Sequence, residues 1–369
     1  MESNVVIIGA GIVGCATALK IKENFPEKTV IVLEKNPGPF METSLYNSGV
    51  IHSGVHQKSN HLKSALALKG GPMLIDFCEK NNVPHRKTGM LVVVSTKDLF
   101  SLITETKSLF LLLRNCHKQK IPVKFLTSFG VKKIESNLKA LFGIFLPNIW
   151  IVDQPSLGKK LVKTGTDKGI LYAFNTEAEI IAKREKAYEI GTNKQTFKAK
   201  IVINASGVWS DKIAAMAGFN NYKIYPYRGE YYEVISEKKN LLQSTLVYPA
   251  LPPGSPVKGI HLTKTTDGRM LIGPNAKPWS DKKDNFSVQT PKKEFLDAVK
   301  RFFPQITEDD IEWRKSGLRA KTNPGVGEND FIVKKECENP TFINLIGIES
   351  PGFTSSFAIG EYVVELIKN

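Results

Sequence analysis

Val5-Val6-Ile7-Ile8-Gly9-Ala10-Gly11-Ile12-Val13-Gly14-Cys15-Ala16-Thr17-Ala18-Leu19 is the stretch that decides the reading of this 369-residue chain. Its first four residues are apolar and β-branched with no polar alternation, the pattern of a central parallel strand covered on both faces. The run passes straight into a GxGxxG and then into small and apolar residues that suit a helix laid on a sheet. Thr29-Val30-Ile31-Val32-Leu33 supplies a second strand, which ends on Glu34. In such a unit Gly9 permits a tight turn, Gly11 lets a pyrophosphate approach the backbone, and Gly14 lets helix and strand pack closely. Backbone N–H groups at the helix start, around Ile12 and Val13, then hold the phosphates. Glu34, twenty residues after Gly14, can accept a ribose 2′-OH and repels the extra phosphate of NADP, which leaves FAD or NAD. The order of elements predicts a dinucleotide site.

Composition narrows the rest. The length predicts two to three domains, and 41% hydrophobic with 24% charged residues is ordinary globular usage. The formal charge of +15 comes from 51 Lys+Arg against 36 Asp+Glu, and only eight of the 51 are Arg. Phosphate-reading surfaces usually use the planar fork of Arg, and the lysines here fall in scattered pairs such as Lys132-Lys133 and Lys292-Lys293. No specific nucleic-acid partner is therefore expected. Cys15, Cys78, Cys116 and Cys337 show no paired spacing, so reduced, cytoplasmic thiols are the default. No run reaches the ~18 apolar residues of a spanning helix, and the acidic Glu2 and interrupting glycines argue against a signal peptide. His52 and His56 lack the helical context of a zinc motif, and no GxSxG is present, so no metal site or serine nucleophile is expected.

After Glu34-Lys35 the chain reads Thr43-Ser44-Leu45-Tyr46-Asn47-Ser48-Gly49-Val50-Ile51-His52-Ser53-Gly54-Val55-His56. Small hydroxyl residues and glycines this dense suit a backbone lying against a flat ring. The run resembles the flavin segment of FAD-dependent oxidoreductases of the D-amino-acid-oxidase superfamily, within it the L-2-hydroxyglutarate oxidase/dehydrogenase branch. Trp150-Ile151-Val152-Asp153, Val202 to Gly207, Pro226 to Tyr231, Gly259 to Thr263, Ser316 to Ala320 and Ile348 to Ser356 repeat the likeness in the same order, nearly end to end. The chain departs from the pattern at Asn148 and Gln154 and in the short segment between Arg319 and Phe331.

The resemblance implies an α/β fold: a discontinuous Rossmann-like FAD-binding domain (1–82, 148–222 and 315–369) with an inserted, mostly antiparallel substrate domain (83–147 and 223–314). It also implies FAD contacts from Gly9, Gly11, Ile12, Val13, Gly14, Glu34 and Lys35, and from Thr43, Ser44, Asn47, Ser48, Gly49 and Val50. Ala205, Gly207, Gly352, Phe353, Thr354 and Ser355 complete the set, the last four in a loop expected to precede a helix at Phe357.

Oxidising an alcohol on a flavin needs a base for the hydroxyl proton and a cation for the acid group. Arg319 is expected to clamp a carboxylate, since guanidinium binds it bidentately. His261 and His52 compete for the role of base, with an ordinary pKa of ~6.5 that suits it. Tyr248, His56 and Lys63 are further candidates for substrate contact. The expected activity is oxidation of a small anionic L-2-hydroxy acid, L-2-hydroxyglutarate above all. Glycerol 3-phosphate oxidation and an RNA-associated flavoprotein are the alternatives. The electron acceptor (oxygen, a quinone or a carrier) stays open, and the positive charge is expected to give at most mild attraction to an anionic substrate or peripheral contact with lipid.

Overall fold

Strand Glu2–Ile8 pairs in parallel with Thr196–Asn204 on one side and Val30–Leu33 on the other. Val5 and Ile7 point into one hydrophobic core and Val6 and Ile8 into another, so the unbroken apolar run exists because both faces are covered. Each fully buried aliphatic side chain here contributes ~1.5–3 kcal/mol. The computed structural model describes residues 1–95, 98–251, 259–325 and 329–369.

The first sheet continues in parallel through Ile170–Ala173 at one end and Thr341–Ile346 at the other, with antiparallel strands added at its margins. The helices Ile12–Asn24, Leu62–Lys80, Gln154–Asp167 and Gly352–Lys368 share one core on one of its faces. The third of these starts earlier than the apolar pattern at Leu157 suggests. The Asp153 side chain accepts from Ser156 N at 2.9 Å, and Pro155 in the first turn fixes the helical start.

The second sheet is antiparallel except where Leu246–Pro249 runs parallel to Met90–Val94. Lys292–Lys300 packs on one of its faces and Leu99–Lys118 on the other. Ile311–Lys321 pairs along its length with Tyr225–Val234 in this sheet. The expected border between 314 and 315 therefore falls inside a strand, and residues 315–321 are part of the second sheet. A small third sheet joins Val50–Ile51, Trp150–Val152 and His85–Lys87.

Among the described residues, no helix is long and apolar enough to cross a membrane.

Candidate active site

A cavity of about 1010 Å³ runs between the first and second sheets, at the upper end of the ~300–1,000 Å³ usual for ligand pockets. Gly9, Gly11, Ile12, Val13, Glu34 and Lys35 border one arm of it, as do Ala205 and Gly207. Gly14 does not. A Cβ there would fall 1.9 Å from the Gly9 carbonyl oxygen, so it serves the helix–strand packing and not the wall. Glu34 is already bonded to the glycine turn: Oε2 accepts from Ala10 N at 2.8 Å, and Oε1 accepts from Asn36 N and Nδ2 at 2.9 and 2.8 Å. Its burial pushes the carboxyl pKa up, against these donors. Lys35 pairs with Glu42 at 2.6 Å and lies over the Trp209 ring.

The segment from Thr43 to Val50 forms the middle of the cavity. Ser44 Oγ accepts from Ile12 N at 2.9 Å, satisfying one N–H that the helix start leaves without an intrahelical partner. Asn47 closes its own loop, its Nδ2 donating to the Thr43 and Ser44 carbonyls and its Oδ1 accepting from Gly49 N. The second sheet grips the same segment. Thr43 Oγ1 donates to the Leu318 carbonyl at 2.8 Å, and Lys315 Nζ donates to the Asn47 carbonyl at 2.6 Å. Gly317 lies so close that a Cβ would sit 2.8 Å from that of Tyr46. The strand bearing Arg319 is thereby held in register with this segment. Ser48 and Val50 border the cavity, whereas Gly49 faces Val152 and Gln154.

At the far arm the cavity brings together His52, His56, Tyr248, His261 and Arg319. His261 Nδ1 lies 2.6 Å from the Gly259 carbonyl oxygen. A carbonyl can only accept, so Nδ1 carries the proton and Nε2 of the neutral ring keeps its lone pair. Tyr248 Oη, 3.1 Å from Nε2, then donates to it. The two rings stack with centroids 4.0 Å apart, and the His56 ring centroid lies 5.6 Å from that of Tyr248. Burial drives the His261 pKa down to about 3, outweighing the Gly259 bond that raises it, and Arg319 and His56 push the same way as burial. His52 is also lowered to about 3, by burial first and then by His56, His261 and Arg319. Its backbone N–H donates to Thr354 Oγ1 at 2.9 Å, and its ring stands in the cavity wall.

Among the described residues no carboxylate forms an ion pair with Arg319, although its charge acts on His52, His261, Tyr231 and Tyr248 together. Arg319 thus stands in the cavity as a cation beside neutral rings, without a carboxylate partner among the described residues.

The C-terminal segment departs from expectation. The helix begins at Gly352, not near Phe357, because Ser355 N donates to the Pro351 carbonyl at 3.0 Å and Ser355 Oγ does so at 3.1 Å. Gly352, Phe353 and Thr354 thus present the first turn of a helix to the cavity, with its N–H groups and positive dipole end. Ser355 is buried behind them. Lys63 does not reach the cavity. It is buried in the first turn of Leu62–Lys80, where the Asp330 carboxylate accepts from Leu62 N and Lys63 N at 2.6 and 2.9 Å.

Three residues that line this cavity or hold its wall escape sequence reasoning. Lys315 is one of many lysines until the strand places it under Asn47. Gln154, a departure from the resembled pattern, donates to the same Asn47 carbonyl at 2.8 Å. Tyr231 is buried against Ser48 and Arg319, and burial pushes its hydroxyl up to about 12; its place at the end of the Arg-Gly-Glu-Tyr run is the one signal that marks it.

The residues fit FAD. One continuous cavity leads from a glycine turn and helix start suited to a pyrophosphate, past a clamped hydroxyl-rich segment, to a second helix N-terminus beside the His261–Arg319 group.

The relatives are consistent with this geometry. The family model described as "DAO: FAD dependent oxidoreductase" matches residues 4–366. An L-2-hydroxyglutarate dehydrogenase of Indibacter alkaliphilus is 30% identical, covering 99% of this chain and 98% of the relative. A glycerol 3-phosphate dehydrogenase of Caloramator mitchellensis is 29% identical, covering 99% of this chain and 74% of its own length. The dithionite-reduced L-α-glycerophosphate oxidase of Mycoplasma pneumoniae, solved with FAD bound, superimposes with a TM-score of 0.89 at 25% identity, covering 100% of this chain and 95% of that one.

Proposed function

The chain belongs to the FAD dependent oxidoreductase family, and from that premise we propose that it oxidises the hydroxyl of a small L-2-hydroxy acid, L-2-hydroxyglutarate, to the 2-oxo acid. The observation that carries this reading is the Arg319 guanidinium, without a carboxylate partner among the described residues, standing in one cavity with the neutral His261 ring. FAD, when bound, supplies the acceptor for the hydride leaving the substrate carbon.

The side chains divide the remaining work. Arg319 binds the carboxylate next to the reacting carbon and so fixes which hydrogen faces the flavin. His261 Nε2 takes the hydroxyl proton, because its partner nitrogen is held protonated by the Gly259 carbonyl. Tyr248 holds that lone pair in position until the substrate hydroxyl replaces it. Once protonated, the imidazolium is disfavoured by burial and by Arg319, while the bound carboxylate offsets the Arg319 charge.

Glycerol 3-phosphate is the second reading, favoured by the likeness to a glycerol 3-phosphate dehydrogenase and an L-α-glycerophosphate oxidase. Arg319 would then hold phosphate. Anaerobic mixing of the FAD-loaded protein with L-2-hydroxyglutarate, other L-2-hydroxy acids and glycerol 3-phosphate separates the two. Bleaching of the flavin absorbance by L-2-hydroxyglutarate is the expected result. Bleaching by glycerol 3-phosphate alone would overturn the proposal.

A further inference from the structure

The Leu99–Lys118 helix turns an uncovered face outward. Its inner face, with Leu109 and Cys116, packs on the second sheet. Leu99 is 73% exposed, Phe100 78%, Ile103 45%, Phe110 60% and Leu111 56%. At ~100° per residue these side chains fall within an arc of ~120°. The other exposed positions of the helix are Lys107, Arg114, His117 and Lys118, which fall in the same arc. No acid is among them. Glu105, the helix's one acidic residue, points inward and pairs with Arg301.

The patch extends beyond the helix. Phe125 is 55% exposed and pairs in register with Ile144, whose side chain lies in the core beneath this helix. Residues directly opposite in a sheet share a face, so Phe125 adds to the same side. Large apolar side chains gathered on one surface of a chain mark an interaction site.

The charge decides what covers it. In a two-fold dimer of this chain the same patch would meet itself, setting Lys107, Arg114 and Lys118 against their own copies. A bilayer with anionic headgroups satisfies both halves of the pattern: acyl chains for Leu and Phe, phosphates for Lys and Arg. We propose that the Leu99–Lys118 helix lies in the plane of such a bilayer, inserting Leu99, Phe100, Ile103 and Phe110 with the basic side chains at headgroup level. Leu111, Arg114 and Lys118 belong both to this face and, with Ser108, Leu112 and Asn115, to the cavity wall. Docking therefore sets a rim of the cavity against the lipid surface.

The test is co-sedimentation of the full FAD-loaded chain with phosphatidylcholine vesicles, with and without phosphatidylglycerol. Binding to the phosphatidylglycerol vesicles is expected to be about tenfold or more the stronger, and to weaken with salt. The exposed double variant Phe100→Ser, Phe110→Ser is expected to lose most of it with unchanged FAD content and thermal midpoint. Three results would overturn the proposal: no binding to either vesicle; binding that the double variant leaves intact, which would assign it to the general positive charge; or a wild-type dimer in light scattering that the double variant dissociates, which would assign the face to a second copy.

Discussion

Lys315 Nζ donates to the Asn47 carbonyl at 2.6 Å, joining a strand of the second sheet to the segment that borders the middle of the flavin cavity. The ammonium also lies 5.1 Å from the centroid of the Tyr231 ring. Burial lowers its pKa to about 8, with Arg269 and Arg314 pushing the same way and Asp267 against them, so the ammonium is still mostly charged at neutrality. A hydrogen bond to a charged group is worth ~1.5–3 kcal/mol. Lys315→Met is therefore expected to raise the FAD dissociation constant by about tenfold or more, read from flavin fluorescence on release. An unchanged constant would mean that Asn47 is held well enough by Gln154.

His261 makes a prediction about pH. Its ring in the folded protein is neutral down to about pH 3, so kcat/KM is expected to show no imidazole inflection between about pH 5 and pH 8. His261→Asn is expected to lower kcat by about 10²–10⁴-fold while retaining FAD. The stability sign follows from the same shift. An unfolded histidine titrates near ~6.5 and takes up its proton first, so the contribution is complete above ~6.5 and lost as pH falls toward the folded value. Thermal midpoints measured from about pH 7 down to pH 4 should therefore fall more steeply for wild type than for His261→Asn. An activity inflection near ~6.5 would instead mean a ring open to solvent.

Much of this was legible in the sequence because it rests on local chemistry. Val5–Ile8 and the glycine turn each obey a spacing rule, and the structure forms the parallel strand and the helix start that the rule requires; Glu34 borders the same arm of the cavity. Helix starts were unevenly legible. Asp153 and Pro155 shift one start forward by local capping, whereas the Leu62–Lys80 helix runs over the stretch that the sequence marks as helical, although the Asp330 carboxylate that caps it lies more than 260 residues away in sequence. The same distance hides Lys315 and Tyr231, which join the site only through pairing of strands 225–234 and 311–321. Lys63 shows the converse: a basic residue in a suggestive segment, whose helix turns it away from the cavity.

Arg319 has no carboxylate partner among the described residues, which is what separates a clamp from a structural ion pair. Lysine at this position keeps the charge but loses the planar fork. Arg319→Lys is expected to raise the substrate KM by about tenfold or more, the loss of one charge-assisted hydrogen bond, while FAD retention changes little. Steady-state kinetics beside an FAD titration on the same preparations checks it. Equal loss of both would make Arg319 a structural residue.

Gly14 gives the sharpest steric test. A methyl group there would lie 1.9 Å from the Gly9 carbonyl oxygen and 3.5 Å from the Ala205 side chain, so no rotamer relieves the clash; the helix Ile12–Asn24 must move away from the strand. Overpacking of this kind costs ~1–3 kcal/mol or more. The movement also carries Ile12 N away from Ser44 Oγ, now 2.9 Å apart, and opens the pyrophosphate end of the cavity. Gly14→Ala is therefore expected to purify with less FAD and a lower thermal midpoint, and added FAD should restore only part of that midpoint. FAD content per chain and thermal unfolding with and without added FAD measure both effects. Wild-type FAD content in this variant would mean that the helix start tolerates a methyl group, and that Gly14 is not what keeps helix and strand together.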